Sequence, residues 1–469
     1  MPVTNKNIPF LHRKEWQMMC PAPIATTAGS FAITDTAEED KYTMLVFGGG
    51  TQMLYNRDED SWLQIQSANP TGSFGAGSCG GRSRWSATVT ATGGSTTSVV
   101  TTAGISGLAL GKTIRFLTGN NAGQQVVCTG CVINPAGTST LQFAALPVAV
   151  ASTDTFCVDT GRFWLMNAGT VATGNFRVYD LLTGTWSSPS VANLPGTWGT
   201  DGKLICPTAN DVFATNVVNS ATTTTLTTTA KTWTANQWTN YQVRIIAGTG
   251  LGQVRTVASN TANVLTLTAA FAVTPDSTSQ YEITANDDFM YLMGNASTVL
   301  YRYSISANAW TVLAPTTGRA GNPGAGMSGN WIGKTGDAVW GNESAIGDGR
   351  YLYSFRAGGG GALDRYDIAL NTWLAVPYIN NAETFNTGSG FAAHGRYLYV
   401  RKDGTHRFFK FDLPGNFMEM LNTNLYGEST AVIGDKLWGC AYKENGVEKL
   451  FWLYSLRNSG TELHRLLLY

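Results

Sequence analysis

Seven cysteines and four histidines are the side chains of this 469-residue chain best suited to bind a metal or act as nucleophiles. Only Cys128 and Cys131 form a close pair, separated by Thr-Gly. A zinc site needs a second such pair or histidines at a suitable spacing, and the sequence offers neither. The other cysteines are scattered and the total is odd, unlike the framework of a small disulfide-bonded secreted protein. We therefore expect two thiols in a turn of a strand-rich segment.

The histidines and charged side chains form no complete catalytic set. His394 and His406 flank one predicted hairpin without a second pair of ligands, so we expect polar surface groups. The acidic runs 38–40 and 58–60 resemble weak cation sites, but such runs are more often solvated turns. Five arginines cluster in the sequence and are expected at solvated strand edges or in salt bridges between subunits: Arg356, Arg365, Arg396, Arg401 and Arg407. The sequence predicts no catalytic residue, no metal site and no cofactor.

The best candidate for a binding site is the Gly-rich segment 318–349, which contains Trp331 and Trp340. Loops carry function more often than strands do, and an exposed tryptophan is a typical anchor for a protein or sugar partner. The alternative is that the two tryptophans only pack this segment onto the sheets beneath it. Our hypothesis is that Trp331 and Trp340 contact a partner.

The composition indicates which elements must position these residues. Charged residues make up 13% of the chain, about half the usual share of roughly 25%, and 31 basic residues balance 31 acidic ones. A neutral chain lacks the basic stripe of a nucleic-acid or anionic-membrane binder, and its 43% hydrophobic content excludes disorder. Abundant Gly and Thr favour turns and strands, which predicts a large all-β protein. The absence of a secretory signal and of an apolar span leads us to expect a protein made in the cytoplasm.

A repeated aromatic pair organises most of the chain. Tyr-x6-Trp occurs four times, at Tyr55 and Trp62, Tyr179 and Trp186, Tyr303 and Trp310, and Tyr366 and Trp373. A hydrophobic strand precedes each pair, so the unit is a small antiparallel sheet. Large aromatic side chains at fixed positions fill the space between neighbouring sheets, and we expect all eight to be core residues.

Two weaker copies follow, near residues 397–418 and 437–454, and the second lacks its tryptophan. Trp16 has the converse defect, since no tyrosine precedes it by seven residues. A ring of sheets closes when one terminus supplies the strand that the other end lacks. The pattern therefore predicts six blades, with the segment around Trp16 completing the last one. The tail 457–469 is then an additional outer strand or an arm that reaches a partner.

Two segments of the chain interrupt this spacing. The intervals from Trp62 to Trp186 and from Trp186 to Trp310 are each 124 residues, against about 50 for a blade. The surplus segments resemble each other, with Arg115 and Gly123 in the first matching Arg244 and Gly252 in the second. Their short Thr- and Val-rich runs predict two related small β-barrels or sandwiches. The predicted organisation is propeller 1–83, module 84–158, propeller 159–212, module 213–285 and propeller 286–469.

The repeat resembles the kelch motif, in which a hydrophobic strand, glycines, and a Tyr and Trp at fixed spacing build a four-stranded blade. Some kelch propellers resemble galactose oxidase, whose copper site takes two His and two Tyr, one of them linked to Cys; this chain shows no such set. Sialidase-like propellers carry an arginine triad and Ser-x-Asp-x-Gly-x-x-Trp turns, and no such turn occurs here. The glycine run 358–361 lacks the Lys-Ser/Thr and the helix of a phosphate loop. We therefore expect a protein without enzymatic activity.

The two modules are similar to segments found in virion proteins of tailed bacteriophages. The similarity lies in an Arg-bearing strand, a Gly-x-Gly-Gln-hydrophobic turn, a Thr-rich strand and Asp-Ser-Thr-Ser-x-Tyr, the last ending at Tyr281. It implies a structural virion protein, associated with the tail or neck, that is made in the host cytoplasm. Other virion proteins and further copies of the chain are the expected partners. The alternatives are an adhesion protein that binds a host-surface glycan and a carbohydrate-active enzyme.

Overall fold

The computed structural model describes residues 16–26, 31–33, 42–47, 49–65, 74, 78–133, 137–167, 175–194, 203–205, 212–293, 299–317, 330–331, 351–355, 363–376, 383, 390–394, 397–402, 405, 407–412, 417–421, 436–444, 447–456 and 460–467. Over these residues the protein is all-β, and its one helical element is the 3-10 turn Gly107–Ala109. None of the described residues belongs to a helix long and apolar enough to cross a membrane.

The first strands of the chain belong to two different sheets. Strand β1 (Trp16–Met18) pairs with a strand near the C-terminus, which is given below. Sheet I is an antiparallel meander of four consecutive strands: β2 (Phe31–Ile33), β3 (Tyr42–Val46), β4 (Gln52–Asn56) and β5 (Ser61–Gln64).

Sheet II is divided in the chain by a larger sheet. After its first strand, β6 (Cys79–Ser83), come the seven strands of module 1: β7 (Val89–Thr90), β8 (Gly93–Gly94), β9 (Ser98–Thr101), β10 (Thr113–Phe116), β11 (Gln125–Val132), β12 (Ser139–Phe143) and β13 (Thr155–Val158). Sheet II then continues with β14 (Arg162–Met166), β15 (Phe176–Asp180) and β16 (Thr185–Ser187). We use module 1 for residues 84–158.

Sheet III is divided in the same way. Its first strand is β17 (Lys203–Ile205), and seven strands of module 2 follow: β18 (Val212–Val217), β19 (Ser220–Ala221), β20 (Thr225–Thr227), β21 (Gln242–Ala247), β22 (Val254–Asn260), β23 (Val264–Leu267) and β24 (Gln280–Thr284). Sheet III resumes with β25 (Phe289–Met293), β26 (Leu300–Ser304) and β27 (Ala309–Leu313). We use module 2 for residues 213–285, and its first strand, β18, begins one residue earlier.

Three further four-stranded sheets complete the chain. Sheet IV contains β28 (Asn330–Trp331), β29 (Tyr351–Phe355), β30 (Leu363–Asp367) and β31 (Thr372–Val376). Sheet V contains β32 (Gly390–His394), β33 (Tyr397–Arg401), β34 (Phe408–Asp412) and β35 (Phe417–Leu421). Sheet VI contains β36 (Lys436–Glu444), β37 (Val447–Leu456) and β38 (Leu463–Leu467), and its fourth strand is β1.

The two ends of the chain therefore share sheet VI. Trp16 lies opposite Leu466, and β38 pairs with β37 on its other side. The tail thus supplies an inner strand of this sheet, and the expectation of an extra outer strand or a free arm is wrong. Eleven residues separate Tyr454 from Arg465, its cross-strand neighbour, so a seven-residue step could not find this pairing.

Each module is one curled seven-stranded antiparallel sheet. In module 1 the order is β7-β13-β10-β11-β12-β9-β8, and the strands at its two ends, β7 and β8, follow each other directly in the chain. Module 2 has the equivalent order β18-β24-β21-β22-β23-β20-β19. Bulges at Cys128 to Gly130 and at Val257 to Ser259 bend the equivalent strands β11 and β22. Each curl encloses its own apolar core.

The six four-stranded sheets pack against one another in chain order. Shared clusters of buried side chains join sheets I and II, II and III, III and IV, IV and V, and VI and I. Sheets V and VI meet where β32 contacts β36, and Arg401 donates to the hydroxyl of Ser455 there at 2.8 Å. Every sheet thus has a neighbour on both sides.

The Tyr-x6-Trp spacing has a simple physical cause. The two side chains lie opposite each other on neighbouring antiparallel strands, with ring centroids 5.0 Å apart for Tyr303 and Trp310. The residue five positions after the tyrosine has a left-handed backbone, as at Asn308 with φ of 50°. Its side chain accepts a hydrogen bond from the Tyr303 hydroxyl at 2.6 Å, and Asp60 and Asn371 do the same in sheets I and IV. Five of the eight aromatics are buried, while Trp62, Tyr179 and Trp186 are half-buried.

Candidate binding cleft between the two modules

The two modules meet through equivalent positions. Gly123 of module 1 and Gly252 of module 2 both have positive φ, 82° and 85°. A Cβ built on either glycine would overlap the backbone of the other. The matched glycines of the duplicated segments therefore face each other, and the two modules form a pseudo-symmetric pair within one chain.

A cleft of about 150 Å³ lies beside this contact. Module 1 and the residues just before its first strand line one side with Arg84, Trp85, Arg115 and Gln125. The other side is lined by module 2 and by Asp287, which lies two residues after it. The module 2 residues are Gln242, Arg244, Val254, Glu282 and Thr284. The matched pairs Arg115 and Arg244, and Gln125 and Val254, all reach the cleft, so it lies on the pseudo-symmetric boundary.

The two matched arginines have different partners. Arg244 lies opposite Glu282 on the neighbouring strand, and its guanidinium is 2.7 Å from the Glu282 carboxylate. Arg115 occupies the same register position in module 1, but Cys157 lies opposite it. Among the described residues, no carboxylate forms an ion pair with Arg115. One arginine of the cleft is therefore neutralised and the other is not.

Trp85 links the two walls of the cleft. The ring is 9% exposed, and its indole nitrogen donates to Asp287 at 2.6 Å across a sequence separation of 202 residues. The guanidinium carbons of Arg84 and Arg115 lie 4.7 Å and 5.4 Å from the ring centroid. Arg84 also pairs with Asp159 at 3.0 Å. The tryptophan thus holds Arg115 at the cleft without neutralising its charge.

Burial shifts the pKa of Arg244, which lines the cleft, and the pKa of Cys157, which lies opposite Arg115. Burial raises the pKa of the Cys157 thiol to about 12, so at neutral pH it is neither a counterion for Arg115 nor a thiolate nucleophile. Burial also lowers the pKa of Arg244, while Glu282 raises it and Arg115 and Arg84 lower it further. No group of three or more His, Cys, Asp or Glu side chains within the described ranges is arranged to hold a metal ion.

The tryptophans predicted from the sequence lie elsewhere. Trp331 is in the short strand β28, opposite Leu352, and its side chain lies outside the described residues. Trp340 and the rest of the segment between Trp331 and Tyr351 lie outside the described residues altogether. The hypothesis that these two tryptophans contact a partner stays a prediction.

The structure corrects several predictions about the charged and sulfur side chains. Cys128 and Cys131 lie within strand β11 rather than in a turn, because the residues on both sides of the bulge pair with β12. Cys128 is buried, Cys131 is half-buried, and both are free thiols. Asp60 is not a freely solvated turn residue, since it accepts hydrogen bonds from the Tyr55 hydroxyl and the Cys20 amide.

The arginine cluster is not uniformly solvated. Arg401 is 1% exposed and bridges sheets V and VI, which contradicts its expected place at a solvated edge. Arg365 lies over the Tyr351 ring at 4.7 Å, and the exposed Arg407 pairs with Glu383 at 2.8 Å. The segments with Arg356, Arg396 and His406, and the side chain of His394, lie outside the described residues.

The sequence contained a signal for this cleft that composition alone does not reveal. The modules are almost free of charge, yet both keep an arginine at the matched position in a strand. A charged residue retained in both copies of an otherwise uncharged segment indicates a role for that side chain. Trp85 and Asp287 carry no comparable signal, because they lie outside the matched segments.

No protein-family model matches the chain, and no curated protein sequence matches it. Three solved β-propeller chains are similar over nearly the whole length. A chain from "Crystal Structure of Mitotic Checkpoint Complex" is 8% identical, with a TM-score of 0.37, and the alignment covers 100% of this chain and 96% of that one.

The other two similarities are of the same strength. "YCF48 bound to D1 peptide" is 10% identical with a TM-score of 0.35, covering 99% of this chain and 100% of that one. AofleA from Arthrobotrys oligospora is 7% identical with a TM-score of 0.41, covering 97% and 87%. Because all three TM-scores lie below 0.5, the description of the fold rests on the strand pairings of this chain.

Proposed function

We propose that this chain is a six-bladed kelch-like β-propeller with two inserted barrel modules, and that it serves as a non-enzymatic structural protein of a tailed-phage virion. Sheets I to VI are the blades, and the shared sheet VI closes the ring. Modules 1 and 2 are insertions between the first and second strands of blades II and III. The pairing of Gly123 with Gly252 is the observation that carries the proposal, because it joins the two added modules into one pseudo-symmetric pair.

The surface of module 1 supports a role in contacts between proteins. Val127 and Val132 of β11 are 52% and 59% exposed, and Leu110 is 58% exposed. Such apolar side chains on an almost uncharged module are suited to burial against a neighbouring subunit. The matched positions of Val127 and Val132 in module 2 are Thr256 and Thr261. Module 1 is thus the better candidate for this contact, with another virion protein or a second copy of the chain.

The test is to locate the protein on particles. Phage particles from a lysate of the source culture are banded on a density gradient, and whole particles and isolated tails are analysed by mass spectrometry. We expect the chain at constant stoichiometry in the tail or neck fraction. A chain found only among unassembled soluble proteins would contradict the proposal.

Substitutions then identify the contact surface. Val127→Thr with Val132→Thr makes module 1 resemble module 2, and Val273→Thr, at an exposed position of module 2, is the matched control. We expect the double variant to be incorporated less into particles and the control to be incorporated normally. Trp331→Ala and Trp340→Ala test the predicted partner segment in the same assay, and full incorporation of both would remove that segment from the proposal.

A second candidate function is the recognition of a surface glycan. The cleft around Trp85 favours it, because the Arg115 guanidinium, which has no ion-pair partner in the described part of the chain, can orient a small polar ligand together with neutral polar side chains. Binding of the purified protein to host cells would support this function, and its absence would leave the structural role as the proposal.

A further inference from the structure

We propose that the cleft between the modules binds the carboxylate of an acidic sugar, with Arg115 as its charged partner. This inference deepens the second candidate function and rests on it. It needs no role for the chain as a virion component, so the two can fail separately.

The first argument is the charge balance of the cleft. The carboxylates of Glu282 and Asp159 each pair with an arginine, and that of Asp287 accepts the indole hydrogen of Trp85. Arg115 is left as one positive charge without a carboxylate partner in the described part of the chain. A ligand carboxylate supplies the ion-pair partner that Arg115 lacks, and a guanidinium binds a planar carboxylate through two parallel hydrogen bonds.

The second argument is repulsion of other anions. Asp287 lines the cleft and has no ion-pair partner among the described residues, so a dianion such as a phosphate monoester would face this carboxylate while pairing only one of its charges with Arg115. The remaining polar groups are the neutral side chains of Gln125, Gln242 and Thr284. These donors and acceptors suit the hydroxyl groups of a sugar.

The third argument is size. A volume of about 150 Å³ lies below the roughly 300–1,000 Å³ typical of sites for drug-sized ligands. The cleft therefore suits one sugar ring, such as the terminal residue of a longer glycan. Trp85 is 9% exposed and has two guanidinium groups against its ring, so its role is to position Arg115 rather than to stack on the sugar.

The test uses the full-length protein and four small probes in parallel titrations followed by NMR or calorimetry. Glucuronate carries the proposed carboxylate on a sugar ring, glucose lacks the charge, glucose 6-phosphate carries two charges, and acetate lacks the ring. We expect glucuronate to bind in the millimolar range and more tightly than the other three probes. Equal or tighter binding of any other probe would overturn the proposal, as would no binding of glucuronate.

Two variants connect binding to the named atoms. Arg115→Gln removes the charge, and Cys157→Glu places a carboxylate where Glu282 stands in module 2. Each should weaken glucuronate binding by about tenfold or more, the loss of one charge-assisted contact. Arg255→Gln is the control, since Arg255 lies over Phe271 in module 2 and does not line the cleft.

The melting temperature of each variant shows whether it is folded. Cys157→Glu keeps Arg115 and adds a partner for it, so weakened binding by this variant in a folded protein cannot come from losing a structural arginine. If both folded variants bind glucuronate as the unmodified protein does, the proposal is wrong. Particle incorporation of Arg115→Gln is measured alongside, and we expect it to be unchanged whether or not glucuronate binds.

Discussion

Modules 1 and 2 have the same strand order and meet in one pseudo-symmetric contact. They differ in how each packs on the rest of the molecule and in the residues that each contributes to the cleft. Module 1 packs on the β15–β16 turn of sheet II, where the Ser106 hydroxyl donates to the Leu181 carbonyl at 2.7 Å. Module 2 reaches beyond its own sheet III to sheet IV, where the Asn240 amide donates to the Ile368 carbonyl at 3.1 Å.

The cleft shows the second difference between the modules. Glu282 neutralises Arg244, whereas the neutral Cys157 leaves Arg115 charged. A shared fold therefore supports the pairing of the modules, and one changed cross-strand neighbour creates the asymmetry that a ligand can use.

The largest expected effect breaks the pairing itself. Gly123→Ala or Gly252→Ala forces the facing backbones apart and places a Cβ at positive φ, so we expect a loss of about 2–4 kcal/mol of stability. Gly111→Ala is the matched control, because Gly111 has φ of 79° but no heavy atom near its Cβ position. Thermal and urea unfolding measure the stability of each variant. Equal losses of stability for Gly123→Ala and Gly111→Ala would refute the close contact. The double alanine variant should lose less than the two single losses combined.

A smaller effect separates the two arginines. Arg244→Ala leaves the Glu282 carboxylate, whose side chain is 11% exposed, without its ion-pair partner, and should cost about 2 kcal/mol. Arg115→Ala removes mainly a contact with the Trp85 ring and should cost less than about 1 kcal/mol. Differential scanning calorimetry of the two variants compares them directly. A larger loss for Arg115→Ala would mean that the charge asymmetry has been assigned to the wrong module.

Removing a contact that docks a module onto a sheet should lower the stability by a smaller amount. Ser106→Ala and Asn240→Ala each remove one hydrogen bond between a module and a sheet, worth about 1 kcal/mol. Hydrogen exchange followed by mass spectrometry should show faster exchange in module 1 for the first variant and in module 2 for the second. Loosening of both modules by either variant would indicate that they respond as one body.

Of these substitutions, replacement of Cys157 should have the smallest effect on stability at neutral pH. Its pKa is raised to about 12 in the folded protein, so the neutral thiol is the form that folding favours. The associated stability is intact below the ordinary pKa of 9.0 and is lost as the pH rises from there towards 12. With Cys157→Ser, the melting temperature should therefore fall less between pH 7 and alkaline pH than it does in the unmodified protein.

Thiol alkylation gives an independent measurement of the same property. The half-buried Cys20 and Cys131 should react with an alkylating reagent faster than the buried Cys157. Module 2 contains no cysteine, so of the two modules only module 1 is labelled. Rapid alkylation of Cys157 in the folded protein would contradict the burial on which the charge asymmetry depends.

Local pattern and spacing determined a large part of the fold. The Tyr-x6-Trp repeat predicted cross-strand pairs, since a hairpin of that length brings Tyr303 opposite Trp310. The matched segments around Arg115 and Arg244 form equivalent strands, β10 and β21. These relations are short in sequence and follow from the alternation of side chains along strands. The position of the tail could not be predicted this way, because β38 pairs at a different spacing from the other repeats.

The cleft could be identified only from the tertiary structure. The meeting of Gly123 with Gly252 and the bond from Trp85 to Asp287 join residues far apart in the chain, and neither follows from any periodicity. The contrast between Cys157 and Glu282 is visible in the sequence, but its consequence depends on which strand lies beside each arginine. By itself the sequence specified the repeating sheets through local side-chain preference. Long-range packing decides that Arg115 has no carboxylate beside it, because it places Cys157 on the neighbouring strand. The same packing keeps water away from the Cys157 thiol, which therefore stays neutral to a higher pH.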